Sequence, residues 1–280
     1  MTMRERYLPC LGPAGFFRVA YTEWDGPPGA PTVVCVHGLT RNGRDFDRLA
    51  EALSATNRVI CPDMPGRGRS DWLARSQDYG YPLYLSVAAS LIARLDVDEI
   101  DWIGTSMGGL IGMFLAAQTG APIRRFIIND VGPFLPKAAL ERIGSYVGQD
   151  PRFETLPALE AYLRRVHAPF GPLSDAEWRH LAQHSSRRRD EGGYGLAYDK
   201  RIGDAFKGEL EDVELWSTWD QIKAPTLVLR GAQSDLLKAD TASRMAERAR
   251  LVEFPGVGHA PALMAADQIA AIRDFLAGPA

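Results

Sequence analysis

The chain has 280 residues, of which 46% are hydrophobic and 24% are charged, and its net charge is −3. This hydrophobic share supports a sizeable buried core, whereas the slight negative charge argues against nucleic acid or an anionic membrane as a partner. The three cysteines are an odd number, which argues against a disulfide framework. No apolar signal region follows residues 1–6 and no apolar run approaches membrane-spanning length, so we expect a cytoplasmic protein.

Short apolar runs alternate with segments of helical periodicity along most of the chain. Residues 16–21 and those before them predict an antiparallel hairpin, which ends at the Gly- and Pro-rich residues 26–29. The other predicted strands lie at 32–36, 58–62, 100–103, 123–130, 225–231 and 251–254. Residues 84–95 follow the i, i+3, i+4, i+7 spacing of a helix with one buried face. The alternation predicts a doubly wound, mostly parallel sheet.

The rhythm of strands and helices breaks between residues 133 and 224. No buried strand is predicted in this segment, and helical stretches alternate with turns at 171–172 and 192–193.

A Gly-x-Ser-x-Gly sequence at residues 104–108 directly follows a predicted strand. In so sharp a turn, side chains at Gly104 and Gly108 would collide, and Ser106 presents its hydroxyl to a cleft. The apolar residues 110–115 predict the buried helix that this motif needs. The motif alone is common by chance, so it indicates a nucleophilic serine only together with other residues.

An acid and a histidine also follow predicted strands. Asp235 comes after the strand at 225–231, and His259 comes after the strand at 251–254. Ligands and catalytic groups gather at the carboxyl ends of parallel strands. The order Ser106, Asp235, His259 also resembles the nucleophile-acid-base order of one large family.

Together these features resemble the α/β-hydrolase fold superfamily, and in particular its serine carboxylesterase-like members with a helical lid. The resemblance covers nearly the whole chain and rests on four motifs, at residues 36–39, 61–70, 104–109 and 258–259. It implies an α/β fold with a doubly wound, mostly parallel, eight-stranded sheet. It also implies that residues 1–132 and 222–280 form the hydrolase core, and that residues 133–221 form an inserted helical lid.

The resemblance also implies a role for each motif residue. Ser106 would be the nucleophile, His259 the base, and Asp235 the acid that orients the base. The backbone N–H groups of Leu39 and Met107 would form the oxyanion hole. The supporting residues of the two turns would be His37, Gly38, Gly104 and Gly108.

Three further residues are candidates with competing interpretations. Asp130 also ends a strand and is the alternative acid, because some relatives take the acid from that position. Asp235 is preferred because it follows the penultimate strand, the usual place in the family. Arg41 follows the oxyanion loop and is a candidate to line the substrate pocket, with a surface position as the alternative. Trp216 is the second pocket candidate, and packing of the insertion onto the core is its alternative.

The serine separates this chain from the haloalkane dehalogenases and epoxide hydrolases of the fold, which need a carboxylate nucleophile. We expect a serine hydrolase that cleaves carboxylic esters of small to medium acyl groups, with hydroxyacyl oligomers or lactones among them. The alternatives are a carbon–carbon hydrolase of a dienoic diketone acid and a non-catalytic ligand-binding protein of the same fold.

The sequence shows no cluster with metal-ligand spacing, so we expect no metal or cofactor. The expected partner is a small ester, and the chain is expected to be a monomer or a homodimer.

Overall fold

The computed structural model describes residues 2–278, so Met1, Pro279 and Ala280 of the expected core lie outside the described residues. The strands are β1 (Met3–Gly12), β2 (Gly15–Trp24), β3 (Thr32–Val36), β4 (Arg58–Pro62), β5 (Ile100–Thr105), β6 (Ile123–Asn129), β7 (Phe134–Leu135), β8 (Ser186–Arg188), β9 (Tyr194–Leu196), β10 (Val213–Glu214), β11 (Thr226–Gly231) and β12 (Arg250–Phe254). The α-helices are α1 (Asp47–Leu53), α2 (Tyr81–Arg94), α3 (Met107–Ala116), α4 (Lys137–Gly144), α5 (Leu156–Val166), α6 (Asp175–His184), α7 (Trp216–Trp219), α8 (Ala239–Met245) and α9 (Ala266–Ala277).

Eight of these strands form one sheet in the order β1-β2-β4-β3-β5-β6-β11-β12. Within this sheet, β4, β3, β5, β6, β11 and β12 pair in parallel, each with the next. The antiparallel hairpin of β1 and β2 joins the sheet at β4, also in antiparallel pairing. The predicted fold class and the opening hairpin are therefore confirmed. β5 lies between β3 and β6, so the loops that follow these three strands meet at one edge of the sheet.

Helices cover both faces of the sheet, as a doubly wound fold requires. Alternate residues of β3 enter two separate apolar cores: Val34 and Val36 pack with α2 and α3, whereas Val33 and Cys35 pack with α1 and α9. All five residues of β3 are buried, which explains its continuous β-branched sequence. The carboxyl ends of the central strands are therefore held in place by apolar packing on both faces of the sheet.

The residues between β6 and β11 form mainly helices, and we call residues 133–221 the insertion. Its strands are two or three residues long and pair only with each other, as β7 with β10 and β8 with β9. Helix α6 begins with a capping box, in which Ser174 and Glu177 exchange side-chain and backbone hydrogen bonds. The insertion therefore has helical signals of its own and adds no strand to the central sheet. Among residues 2–278, no helix has the length and apolar character needed to cross a membrane.

Candidate active site

Ser106 occupies a strained turn between β5 and α3. Its φ of 51° and ψ of −114° are unfavourable for a residue with a side chain. A Cβ atom at Gly104 would lie 2.2 Å from the carbonyl oxygen of Gly108, and one at Gly108 would lie 2.0 Å from that of Val36. Both positions therefore require glycine, as the motif predicts, and the turn holds the serine at the edge of the sheet.

Ser106 stands at one end of a hydrogen-bonded chain of three side chains. Its Oγ lies 3.0 Å from Nε2 of His259, and Nδ1 of His259 lies 2.7 Å from Oδ2 of Asp130. Because the carboxylate can only accept, we assign the imidazole proton to Nδ1, which leaves Nε2 to accept from the serine hydroxyl. The His259 side chain is 11% exposed and that of Asp130 is fully buried. The arrangement suits the roles of a nucleophile, a base and an orienting acid.

Asp130 reaches the histidine because two other groups direct its carboxylate. The residue has a φ of 57° at the point where β6 ends. Its Oδ1 accepts from the backbone N–H of Gly231 at 2.8 Å, and its Oδ2 accepts from the hydroxyl of Ser234 at 2.6 Å. Residues at the end of the neighbouring strand β11 thus orient the Asp130 carboxylate toward the imidazole of His259.

The preference for Asp235 as the acid is wrong in this geometry. Its carboxylate forms an ion pair with Arg142 of α4, with one contact of 3.0 Å, and the two side chains are 48% and 41% exposed. Asp235 lies one residue beyond Ser234, which contacts the buried carboxylate, and points instead to the surface. The sequence does contain the correct signal, because Asp130 directly follows β6, but position alone could not rank two acids at neighbouring strand ends.

His37 orders the loop that follows β3. Its Nδ1–H donates to the carbonyl oxygen of Gly38 at 2.7 Å, and its Nε2 accepts from the N–H of Met64 at 2.9 Å. The N–H of Arg41 also donates to this carbonyl, at 3.1 Å. In a trans peptide the N–H points opposite to the C=O, so the N–H of Leu39 is turned away from these partners. Burial lowers the pKa of His37 to about 3, so the imidazole stays neutral, and both of its ring nitrogens are occupied by backbone groups.

Two backbone N–H groups are thus available on either side of the serine. Met107 is the first residue of α3, so its N–H lacks an acceptor within the helix. The loop that carries Leu39 is close, because a Cβ at Gly38 would lie 3.7 Å from Cβ of Ser106. This geometry suits an oxyanion hole made by Leu39 and Met107.

Arg67 is a residue that the sequence analysis missed. Its side chain is fully buried, its Nε donates to the carbonyl of Leu39 at 2.8 Å, and Nη1 donates to the hydroxyl of Tyr84, also at 2.8 Å. Nη2 lies 3.4 Å from the sulfur of Met107. Arg67 therefore touches both residues of the candidate oxyanion hole. It stands within the expected Gly-x-Gly turn at residues 61–70, but nothing in that motif shows that the side chain folds inward.

The two pocket candidates have different surroundings. Arg41 is 5% exposed, so the surface alternative is wrong, and its Nη1 lies 3.4 Å from Nε2 of His167 in the insertion. Trp216 begins α7, where the guanidinium of Arg244 lies 3.7 Å from the centre of the indole ring. Arg41 thus faces the insertion beside the loop of Leu39, whereas Trp216 is partly buried and packs against the apolar core, with Arg244 of α8 over its ring.

The insertion is attached to the loop that carries the histidine. The N–H of Gly258 donates to the carbonyl oxygen of Pro169 at 2.7 Å. A Cβ at Gly171, whose φ is 100°, would lie 2.9 Å from the side chain of Val257. The insertion is therefore in direct contact with the loop that carries His259.

One group of side chains could hold a metal ion elsewhere. Ligand atoms of Asp47, His180 and His184 lie within 4.8 Å of one another, where α6 of the insertion meets α1. These groups have protein partners: Arg44 forms an ion pair with Asp47, and Nε2 of His180 donates to the carbonyl of Arg44 at 2.9 Å. The group has no hydrogen bond to the chain of Ser106, His259 and Asp130. His180 and His184 lie four residues apart on one helix, which gives two ligands, and the third, Asp47, approaches them only through the fold.

Comparison with known proteins adds to this geometry. The sequence profile described as "Alpha/beta hydrolase family" matches residues 33–272. The chain belongs to this family. A curated relative, the 3-hydroxybutyrate-oligomer hydrolase of Cupriavidus necator, is 44% identical to this α/β-hydrolase over 284 residues, which cover 97% of each chain. An α/β-hydrolase structure from Novosphingobium aromaticivorans has a TM-score of 0.88, 37% identity and 98% coverage of both chains. A structure from Rickettsia typhi has a TM-score of 0.92, 31% identity and full coverage of both.

Proposed function

We propose that this α/β-hydrolase cleaves carboxylic esters of small to medium acyl groups through an acyl-Ser106 intermediate. The observation that carries the proposal is the hydrogen-bonded chain from Ser106 through His259 to Asp130. The similarity to a 3-hydroxybutyrate-oligomer hydrolase over almost the whole length supports ester substrates, and hydroxyacyl oligomers in particular.

In the first half of the reaction, His259 takes the hydroxyl proton of Ser106 while the serine oxygen attacks the ester carbonyl carbon. Asp130 keeps the proton-accepting Nε2 directed at the serine and stabilises the imidazolium. The tetrahedral intermediate then collapses, the bond to the alcohol oxygen breaks, and the imidazolium gives its proton to the departing alkoxide. Water activated by His259 attacks the acyl-serine in the second half and releases the acid.

The N–H groups of Leu39 and Met107 would bind the oxyanion of both tetrahedral intermediates. A single donor of this kind typically contributes about 3 kcal/mol to transition-state stabilisation. His37 and Arg67 act as positioning residues in this scheme, because they hold the two carbonyls that flank the N–H of Leu39.

The insertion would act as a lid that shapes the pocket above the triad. Its contact with the loop of His259, through Pro169 and Gly258, supports this assignment. A cytoplasmic location and a monomeric or homodimeric state stay predictions from the sequence.

The test is hydrolysis of p-nitrophenyl esters of increasing acyl length, with Ser106→Ala as the matched variant. We expect turnover that peaks at short to medium chains and is lost in the variant, while the variant keeps the unfolding midpoint of the wild type. Appreciable residual turnover in Ser106→Ala would remove the serine from its role. The absence of turnover on every ester would favour the carbon–carbon hydrolase or the binding protein instead.

A further inference from the structure

A small recess lies between the loop after Leu39 and the insertion, outside the triad itself. The residues that line it are Thr40, Arg41, Tyr146, Tyr162, Leu163, Val166, His167, Ser185, Leu196 and Tyr198. They include one guanidinium, four hydroxyl-bearing side chains besides the threonine, and no carboxylate among the described lining residues. The recess therefore carries a positive group and several hydroxyls that can donate hydrogen bonds.

Arg41 is held so that one edge of its guanidinium faces the recess. Asp45 accepts from Nε and Nη2, both at 2.7 Å, and this fork fixes the plane of the group. Nη1 stays on the other side, toward His167. Phe170 stacks on His167 with 4.6 Å between ring centres, so the imidazole is fixed as well. The cation is thus preorganised, with Nη1 directed into the recess.

Ser185 supplies a second, independent observation. The residue is 5% exposed, and its Oγ has no hydrogen-bond partner among the described residues. A buried hydroxyl without a partner is unfavourable, and such a group in a natural protein calls for an explanation. A ligand atom in the recess that accepts from this hydroxyl would provide one.

The recess is close to the reacting groups. Thr40 directly follows the oxyanion residue Leu39, and Pro169 of the insertion accepts from the N–H of Gly258, next to the base. Burial, followed by the charges of Arg41 and His259, lowers the pKa of His167 well below its usual range. His167 is therefore neutral, and the positive charge of the recess comes from Arg41.

We propose that this recess binds the free carboxylate of a hydroxyacyl ester, with Arg41 Nη1 and the Ser185 hydroxyl as donors. The inference rests on the proposed function and names the end of the substrate that is recognised. In a linear hydroxyacyl oligomer, the alcohol portion of the last ester bond carries the terminal carboxylate. A carboxylate accepts hydrogen bonds and donates none, which matches the guanidinium of Arg41 and the unpartnered hydroxyl of Ser185. The recess thus holds the leaving group while Ser106 takes the acyl group.

The first test compares the dimer of 3-hydroxybutyrate with its methyl ester, which lacks the charge. The wild type is expected to prefer the free acid in kcat/KM by about tenfold or more, because a charge-assisted hydrogen bond is lost in the ester. Arg41→Gln should lose most of this preference, and the exposed control Arg94→Gln should keep it. Equal kcat/KM for the two substrates in the wild type, or an unchanged preference in Arg41→Gln, would overturn the proposal.

The second test uses Ser185→Ala, which removes no hydrogen bond seen in the structure. We expect an unfolding midpoint at or above that of the wild type, together with a KM for the free acid that rises about threefold or more. A lower midpoint with an unchanged KM would mean that the hydroxyl is structural, and would overturn its role as a donor.

A parallel assay with p-nitrophenyl butyrate separates this inference from the proposed function. Turnover of that ester without preference for the free acid overturns the carboxylate site alone. The absence of turnover on p-nitrophenyl butyrate and on both dimers overturns the proposed function, and this inference with it.

Discussion

The substitution Asp130→Asn tests the geometry of the candidate triad most directly. Oδ1 of Asp130 accepts the N–H of Gly231, so the amide oxygen of asparagine must take that position. The amide NH2 then takes the place of Oδ2, 2.7 Å from Nδ1 of His259, and donates to it. The imidazole is forced to carry its proton on Nε2, where it can no longer accept from Ser106.

A histidine in the wrong tautomer lowers kcat by about 10⁴-fold, which corresponds to about 5.5 kcal/mol of transition-state free energy. The measurement is kcat for p-nitrophenyl butyrate at neutral pH in the wild type, Asp130→Asn and Asp235→Asn. The carboxylate of Asp235 pairs with Arg142 near the surface and is not hydrogen-bonded to Ser106, His259 or Asp130, so Asp235→Asn should change kcat by less than about twofold. A greater loss in Asp235→Asn than in Asp130→Asn would refute the assignment of the acid.

Three other predictions concern the turn, the oxyanion loop and stability. Gly108→Ala places a Cβ against the carbonyl of Val36, so we expect a lower yield of folded protein and a lower unfolding midpoint in calorimetry; a wild-type midpoint would contradict the steric argument. Arg67→Met removes the donor to the Leu39 carbonyl, and steady-state kinetics should show a kcat about tenfold or more lower with KM little changed; a change confined to KM would exclude a positioning role. The pKa values of His37 and His167 are lowered in the folded state, so the unfolded state binds more protons below pH 6.5. In urea titrations, the free energy of unfolding of His167→Phe should therefore fall less steeply than that of the wild type as the pH is lowered from 6.5 toward 4.5, by up to about 1.4 kcal/mol per pH unit; identical slopes would contradict this shift.

The centre of the sheet could be predicted from the sequence because β3 and the strands beside it are short, largely apolar runs. The five residues of β3 are all buried, and only a strand covered on both faces gives such a pattern. The Gly-x-Ser-x-Gly turn could also be predicted from the sequence, because both glycines face backbone carbonyls at distances that exclude any side chain. Such motifs are short and have a fixed spacing, so they can be recognised from the sequence alone.

The identity of the acid and the role of Arg67 could not be read in the same way. Asp130 and Asp235 follow neighbouring strands, and the choice between them depends on which carboxylate receives the N–H of Gly231 and the hydroxyl of Ser234. Arg67 lies in a polar turn, where an arginine is usually solvated, and its burial depends on Tyr84 and the loop of Leu39. Both features arise from contacts between segments that are distant in the sequence.

The positions of the three triad residues along the chain also bear on how the protein assembles. Ser106 and Asp130 follow β5 and β6, adjacent strands joined by one helix, but the carboxylate of Asp130 is held by Gly231 and Ser234 at the end of β11. His259 follows β12, at the far edge of the sheet, and is reached only after the whole insertion has been synthesised. Contacts between distant segments form slowly because their loop-closure entropy is large. Under the proposed mechanism, a chain that ends before β12 has the turn of Ser106 but lacks His259, so hydrolytic activity requires that β12 has joined the sheet.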